Sequence, residues 1–292
     1  MIFGFVDEER GEHTVSMLCR VLKVTRAGYY AWKKRAPSKR KLYDGQLKDE
    51  IIKIYHNNRS IYGAPRIERA LRAKGITTSR RRAARLMREL GICGVLKAKK
   101  YPGSKAKAER GPSQDLVHRH FIASDLNQIW CADITYVSTW QGSLYLAVVF
   151  DTCSRKIVGW SMDATMTANL VDDALRMAIY RREPDAGLIH HSDKGSQYRS
   201  LLLGATMRAF GIRPSMGAVQ APGDNAITES LMSTIKTECV HRQTFKTKEE
   251  AKIEIFDYIE CFYNRLRLHS GIGYMSPDDY EATIEDRRRA AA

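Results

Sequence analysis

With 292 residues, 43% of them hydrophobic, the chain can bury one sizeable core and one or two small satellites. No run approaches the roughly 20 apolar residues of a membrane span. The N-terminus, with Asp7, Glu8, Glu9 and Glu12, does not read as a signal peptide, and six scattered cysteines without a C-x-x-C pair argue against a zinc ribbon or disulfide framework. The formal charge of +15 is uneven: residues 1–120 hold 29 Lys and Arg against 11 Asp and Glu, whereas 121–292 hold 19 against 22. Such asymmetry is the footprint of a nucleic-acid-binding front end joined to a core employed otherwise.

In chain order, residues 14–34 alternate apolar and polar positions at helical spacing around Gly28, which predicts a small helix-turn-helix unit within a segment 1–45. SKRKLYDG, residues 38–45, reads as a polar link. A second helix-turn-helix domain follows over 46–95, where DEIIKIYHNN gives a helix with Ile51, Ile52 and Ile54 near its buried face. From Tyr62 the chain reads helix, Gly75 turn, helix. Thr78 or Ser79 can cap the last helix, and Ala83, Leu86, Met87 and Leu90 form its apolar stripe. Its other face carries Arg80, Arg81, Arg82, Arg85 and Arg88, which we assign to DNA contact because the planar guanidinium donates two hydrogen bonds at once to phosphate or guanine. Residues 96–122 mix Lys, Gly, Pro and Ser and read as a basic linker. Beyond it, strands are expected at 129–137, 143–150 and 156–162, a helix at 168–181, a short strand in GLIHHSD, a helix at 200–210, a strand at 212–214 and a helix at 225–238. The order βββαβαβα is that of a ribonuclease-H-like mixed sheet, so the chain is expected to be α/β, with all-α domains in front, a core over 123–285 and a tail over 286–292.

Three acidic residues stand where charge needs a reason. Asp133 interrupts the strand pattern of QIWCADITYV, where burying a lone carboxylate would cost several kcal/mol. Asp193 sits where HHSDKGSQY leaves a strand, and Glu229 lies on the helix opening at Asp224–Asn225. Converging carboxylates suit Mg²⁺, a hard cation that prefers oxygen ligands, and two such ions can serve an in-line phosphodiester displacement.

W-C-A-D-I-T-Y, H-S-D-K-G-S-Q-Y and D-N-A-I-T-E-S, with 35 residues between Asp193 and Glu229 and Lys236 seven residues further on, resemble the three catalytic blocks of the DDE integrase superfamily. Together with MLCRVLKVTRAGYYAW, the YGAPRI to LMRELGI segment and FYNRLRLHSGIGYMSP, they make nearly the whole chain similar to the downstream product of insertion-sequence-three-family transposases. The resemblance implies metal-dependent cleavage of one strand at an element's end and transfer of its 3′-OH to another phosphodiester. Asp133, Asp193 and Glu229 would hold two Mg²⁺ ions, with Mn²⁺ as a substitute. It also implies double-stranded DNA (element ends and target) as partner, a homo-oligomer on DNA, and an upstream helix-turn-helix partner or frameshift fusion. No membrane association is expected; the expected location is the cytoplasm, on the nucleoid when DNA is bound. Lys236, on the Glu229 face of its helix, is assigned to the DNA end. Arg66 joins the DNA-contacting set, as do Arg265, Arg267 and His269, which with Asn264 resemble the family's Y-N-x-x-R-x-H segment. His191, Gln197 and Tyr198 are read as either ordering the site or packing. The loop GAVQAPG departs from the basic loop of many relatives, and Leu231–Met232 replaces an aromatic pair. A DNA-binding regulator has no use for the carboxylates. A retroviral-type integrase would carry a zinc pattern that is absent, and a simple nuclease would not need the basic front end.

Overall fold

The computed structural model describes residues 2–95, 115–117, 123–217 and 226–291. Two compact units emerge, Met1–Lys53 and Ile54–Ala292. The first holds α1 (Ile2–Glu9), α2 (Val15–Val21), α3 (Arg26–Lys34) and most of α4 (Lys39–Asn57). Thr14 and Thr25 cap α2 and α3, their hydroxyls accepting from Met17 N and Gly28 N. Val6, Leu18, Cys19 and Tyr29 are buried together, with Phe3 and Leu22 packed against them. Asp7, read only as part of an acidic start, is a strut: its Oδ1 accepts from the Tyr29 hydroxyl at 2.5 Å and the Lys33 ammonium at 2.7 Å. The expected polar link at 38–45 is instead the opening of α4. Ser38 Oγ accepts from Lys41 N, and Lys, Arg, Leu and Gln are good helix formers whatever their polarity.

In the second unit, α5 (Ala64–Ala73) and α6 (Arg80–Glu89) follow. Gly75 between them has φ +76°, a conformation that favours glycine, and Ser79 proves to be the cap of α6, accepting from Arg82 N. Ala83, Leu86 and Met87 are buried as their spacing requires. Most of the expected linker lies outside the described residues. Within it, Leu116 N donates to Ser215 Oγ at 2.9 Å.

The core is a five-stranded mixed sheet in the order β3-β2-β1-β4-β5, the arrangement of a ribonuclease-H-like domain. Strands β1 (Ile129–Thr139), β2 (Gly142–Asp151) and β3 (Ile157–Asp163) form an antiparallel meander. Strands β4 (Ile189–Ser192) and β5 (Arg213–Met216) run parallel to β1. Helices α7 (Ala168–Arg182) and α8 (Leu201–Ala209) supply Leu170, Ala174, Leu175 and Leu203 to a core shared with Trp130, Ala132 and Val149. Side chains alternate across a strand, so Trp130 and Ala132 face this layer and Cys131 and Asp133 face the opposite one.

At Gly159 the backbones of β3 and α7 meet. A Cβ there would collide with the Ala174 carbonyl oxygen and lie 2.7 Å from Ala178 N. Gly159→Ala is therefore expected to lower stability by about 1 to 3 kcal/mol, the range for overpacking a core. Urea unfolding should show it as a lower midpoint, and an unchanged midpoint would mean that α7 can shift freely.

Helix α9 (Ala226–Glu238) packs against β1. After it come α10 (Lys248–Phe256), continued by a π-helical stretch over Asp257–Tyr263, and α11 (Pro277–Ala291). The expected tail at 286–292 is helical up to Ala291. Asn264 ties the C-terminal segment to the sheet by accepting from Ile157 N and donating to Ile157 O, both at 2.9 Å. Among the described residues, no helix is long and apolar enough to cross a membrane. Four of the six cysteines are buried, whereas Cys93 and Cys261 are exposed.

Candidate active site

Parallel pairing of β1 with β4 sets Cys131 beside His191. Two residues further along each chain stands an aspartate, so the register carries Asp133 and Asp193 to the same edge of the sheet. Asp193 lies just past the end of β4, its Oδ1 accepting from Gly195 N at 2.9 Å. The third carboxylate arrives on α9. Thr228, fully buried, hydrogen-bonds the Cys131 thiol, which burial pushes up to about 12. That contact seats the first turn of α9 on β1, and the next residue is Glu229. Asp133 feels the whole group. Burial raises its pKa first, Asp193 and Glu229 raise it further by charge, and the Ile134 amide and the Lys236 ammonium oppose them, leaving it at about 6. Lys236 thus lies on the carboxylate side of α9, with its Nζ 5.1 Å from the centre of the Tyr136 ring.

The three carboxylates are neighbours without being a closed cage. Among the described residues, only Glu9, Glu12 and His13 bring three ligand atoms within 4.8 Å of one another, on the surface of the first unit. Asp193 and Glu229 are exposed and Asp133 is half-buried, so like charges can turn their oxygens towards water. Around them, Tyr198 is buried with its hydroxyl unpartnered among the described residues, and burial together with Asp133 and Asp193 holds its pKa well above 10. Gln197 Nε2 donates to Met166 O at 3.2 Å. His191 is buried with Nδ1 3.0 Å from Ser215 Oγ, so it braces β4 against β5. The capping pair Asp224–Asn225, and the GAVQAPG loop beyond Gly217, lie outside the described residues.

The arginines divide. On α6, Arg80, Arg81 and Arg88 are exposed, whereas Arg82 and Arg85 are half-buried and Arg85 is paired with Glu89 at 2.5 Å. The C-terminal set needs correction. Arg267 is buried and bidentate to Glu238, at 2.6 and 2.7 Å, with Tyr258 donating to the same carboxylate at 2.9 Å. Arg66 Nε donates to Leu268 O at 2.9 Å, and its Nη1 lies 3.7 Å from Glu238. His269 Nδ1 accepts from Gly271 N, while burial and the surrounding arginines push its pKa down to about 3, leaving the ring uncharged. Asn264 spends both ends of its amide on Ile157. These groups clasp the end of α9 and the edge of the sheet; of the charged side chains in that segment only Arg265 is exposed. No residue spacing announced the clasp, because its partners, Glu238 and Arg267, are 29 residues apart.

Family models described as integrase core domain match residues 123–222 and 229–283, and one described as HTH-like domain matches 43–100. The transposase InsF for insertion sequence IS3A of Escherichia coli (strain K12) is 38% identical over 283 residues, 96% of this chain and 98% of that protein. The chain belongs to the insertion-sequence-three (IS3) family of transposases. Within that family it is also 40% identical to the transposase for insertion sequence element IS904 of Lactococcus lactis, over 85% of this chain and 98% of the relative. Among solved structures, the HTLV-2 integrase catalytic core domain in complex with magnesium aligns with a TM-score of 0.36 and 19% identity, over 53% of this chain and 94% of that one.

Proposed function

We propose that this transposase cleaves one DNA strand at the ends of its element and joins the freed 3′-OH to target DNA, with Asp133, Asp193 and Glu229 as ligands of catalytic divalent metal. The observation that carries the reading is the convergence of these three carboxylates, from β1, the end of β4 and the first turn of α9, with Lys236 beside them. An all-oxygen donor set whose charges crowd one another fits a hard divalent cation, which relieves that repulsion. Mg²⁺, as two ions, or Mn²⁺ in its place, would activate the attacking water or hydroxyl and offset charge on the phosphate. Around it the chain's own residues position the DNA. Lys236 donates to a phosphate oxygen of the terminal nucleotide, and the rigid sheet edge holds Asp133 and Asp193 side by side. No side chain is called on as a nucleophile. The test is cleavage and joining of duplexes copied from the DNA flanking the gene, with and without Mg²⁺. DNA of any sequence is held through the basic front end, and the active form is a homo-oligomer on the two ends.

Exposed arginines on α6 give a separate expectation. Each phosphate contact releases counterions, so replacing Arg80, Arg81 and Arg88 together by Ala should flatten the log-log salt dependence of DNA binding by about 2 to 3. Binding measured across a salt series checks it. An unchanged slope would return that face to plain solvation.

A further inference from the structure

Two aromatic side chains, on β1 and at its hairpin tip, and two lysines, on α9 and just before α10, are left unused by this mechanism or only half used. On β1, Trp130 and Ala132 are buried and Ile134 packs against the same core, so the alternation points Tyr136 inward as well; instead it is 59% exposed. Trp140, at the tip of the β1–β2 hairpin, is 72% exposed. A single exposed aromatic residue is ordinary. Here each ring carries an ammonium group: Lys236 Nζ lies 5.1 Å from the centre of Tyr136 and Lys246 Nζ lies 5.9 Å from the centre of Trp140. Tyr136 stands three residues after Asp133 on β1, so the ring-and-lysine strip starts near the carboxylates. It extends roughly 13 Å, four residues at about 3.3 Å each.

Its far end is held firmly. Trp140 N donates to Phe245 O at 3.1 Å, and Thr139 bridges to Phe245, which fixes Lys246 beside the indole. Gln141 N donates to Thr139 Oγ1, and Gln141 Oε1 accepts from Lys248 N, both at 3.1 Å. An exposed ring on a pinned backbone loses little freedom when it binds. Flat rings with ammonium groups beside them match a chain that alternates bases and phosphates. Bases inside a duplex are already stacked on one another, so such rings can take only unpaired ones. An apolar protein partner would have to strip water from both lysines.

We propose that Tyr136 and Trp140, with Lys236 and Lys246, form a binding strip for unpaired nucleotides that leads away from the scissile phosphate. The inference rests on the strand-transfer reading, and it assigns the strip to nucleotides that unpair next to the cut. Full-length protein is titrated, in the absence of divalent metal, with a fluorescent duplex ending in an oligothymidine tail and with the same duplex blunt-ended. The wild type should favour the tailed DNA. Trp140→Ala and Tyr136→Ala, both at exposed positions, should each weaken tailed binding by roughly fivefold to a hundredfold, the effect of losing one stacked base. Blunt binding should stay within about twofold, and Trp140→Phe should keep most of the preference. A wild-type ratio in Trp140→Ala, or equal losses on both DNAs, would overturn the proposal. So would a change in self-association, read by sedimentation, with DNA binding untouched. Since the readout is binding without metal, a tail preference in a protein that fails to cleave would count against the strand-transfer reading alone.

Discussion

Asp133→Asn, Asp193→Asn and Glu229→Gln are each expected to lower Mg²⁺-dependent strand cleavage and joining by about a thousandfold or more. Metal ions supply several kcal/mol of charge stabilisation to phosphoryl transfer, and each ~1.4 kcal/mol is a factor of ten. Removing one carboxylate from the crowded set withdraws an anionic ligand. The shape of the side chain is kept, and no cation that could hold phosphate is lost. DNA binding should therefore persist or tighten slightly, since an anion has been taken from the path of the backbone. Circular dichroism should show the wild-type fold, because Asp193 and Glu229 are exposed and Asp133 is half-buried. Product gels and a gel-shift assay on the same samples separate the two effects. Cleavage at the wild-type rate in any of the three variants would remove that residue from the site.

The second large effect is structural. Arg267→Ala should cost roughly 3 to 5 kcal/mol at neutral pH, the range for deleting one partner of a buried ion pair. Burial alone would raise the Glu238 pKa. The hydrogen bonds and charge of Arg267, with help from Arg66 and Tyr258, reverse that and hold the carboxyl below its ordinary value of 4.5. A depressed carboxylate contributes stability that is present above its unfolded pKa and is lost as pH falls through the folded one. In Arg267→Ala the sign inverts: burial then dominates, Glu238 favours its proton, and the variant should lose least at acid pH and most at neutral pH. Urea unfolding at several pH values reads this directly. A phosphate-contacting Arg267 would instead leave unfolding unchanged at every pH and weaken DNA binding.

Much of this architecture could be read from residue order. The strands β1, β2 and β3 fall within one or two residues of their apolar runs, because buried strands of a central sheet are dense in Val, Ile, Leu and aromatics. Asp133 stood out because a carboxylate breaks such a run. What stayed hidden depends on contacts between distant parts of the chain. Arg267 and Arg265 look alike in sequence, yet one pairs with a glutamate 29 residues earlier and the other faces water. The charged opening of α4 resembled a link because polar residues suit a loop and a solvated helix equally. Tyr136 sat on the inward half of an alternating pattern, and only the extent of the helical cover shows that it is bare.

The most direct test is a joining reaction. A duplex copied from the DNA flanking the gene, already ending in a 3′-OH, is incubated with plasmid, Mg²⁺ and the full-length protein, and the covalent products are sequenced. The structure predicts that the 3′ end becomes joined to plasmid phosphate with Mg²⁺ or Mn²⁺ only, and that Asp133→Asn and Glu229→Gln yield no joined product. Joining that proceeds in chelator, or survives both substitutions, would contradict the assignment of these carboxylates as the metal-holding centre of strand transfer.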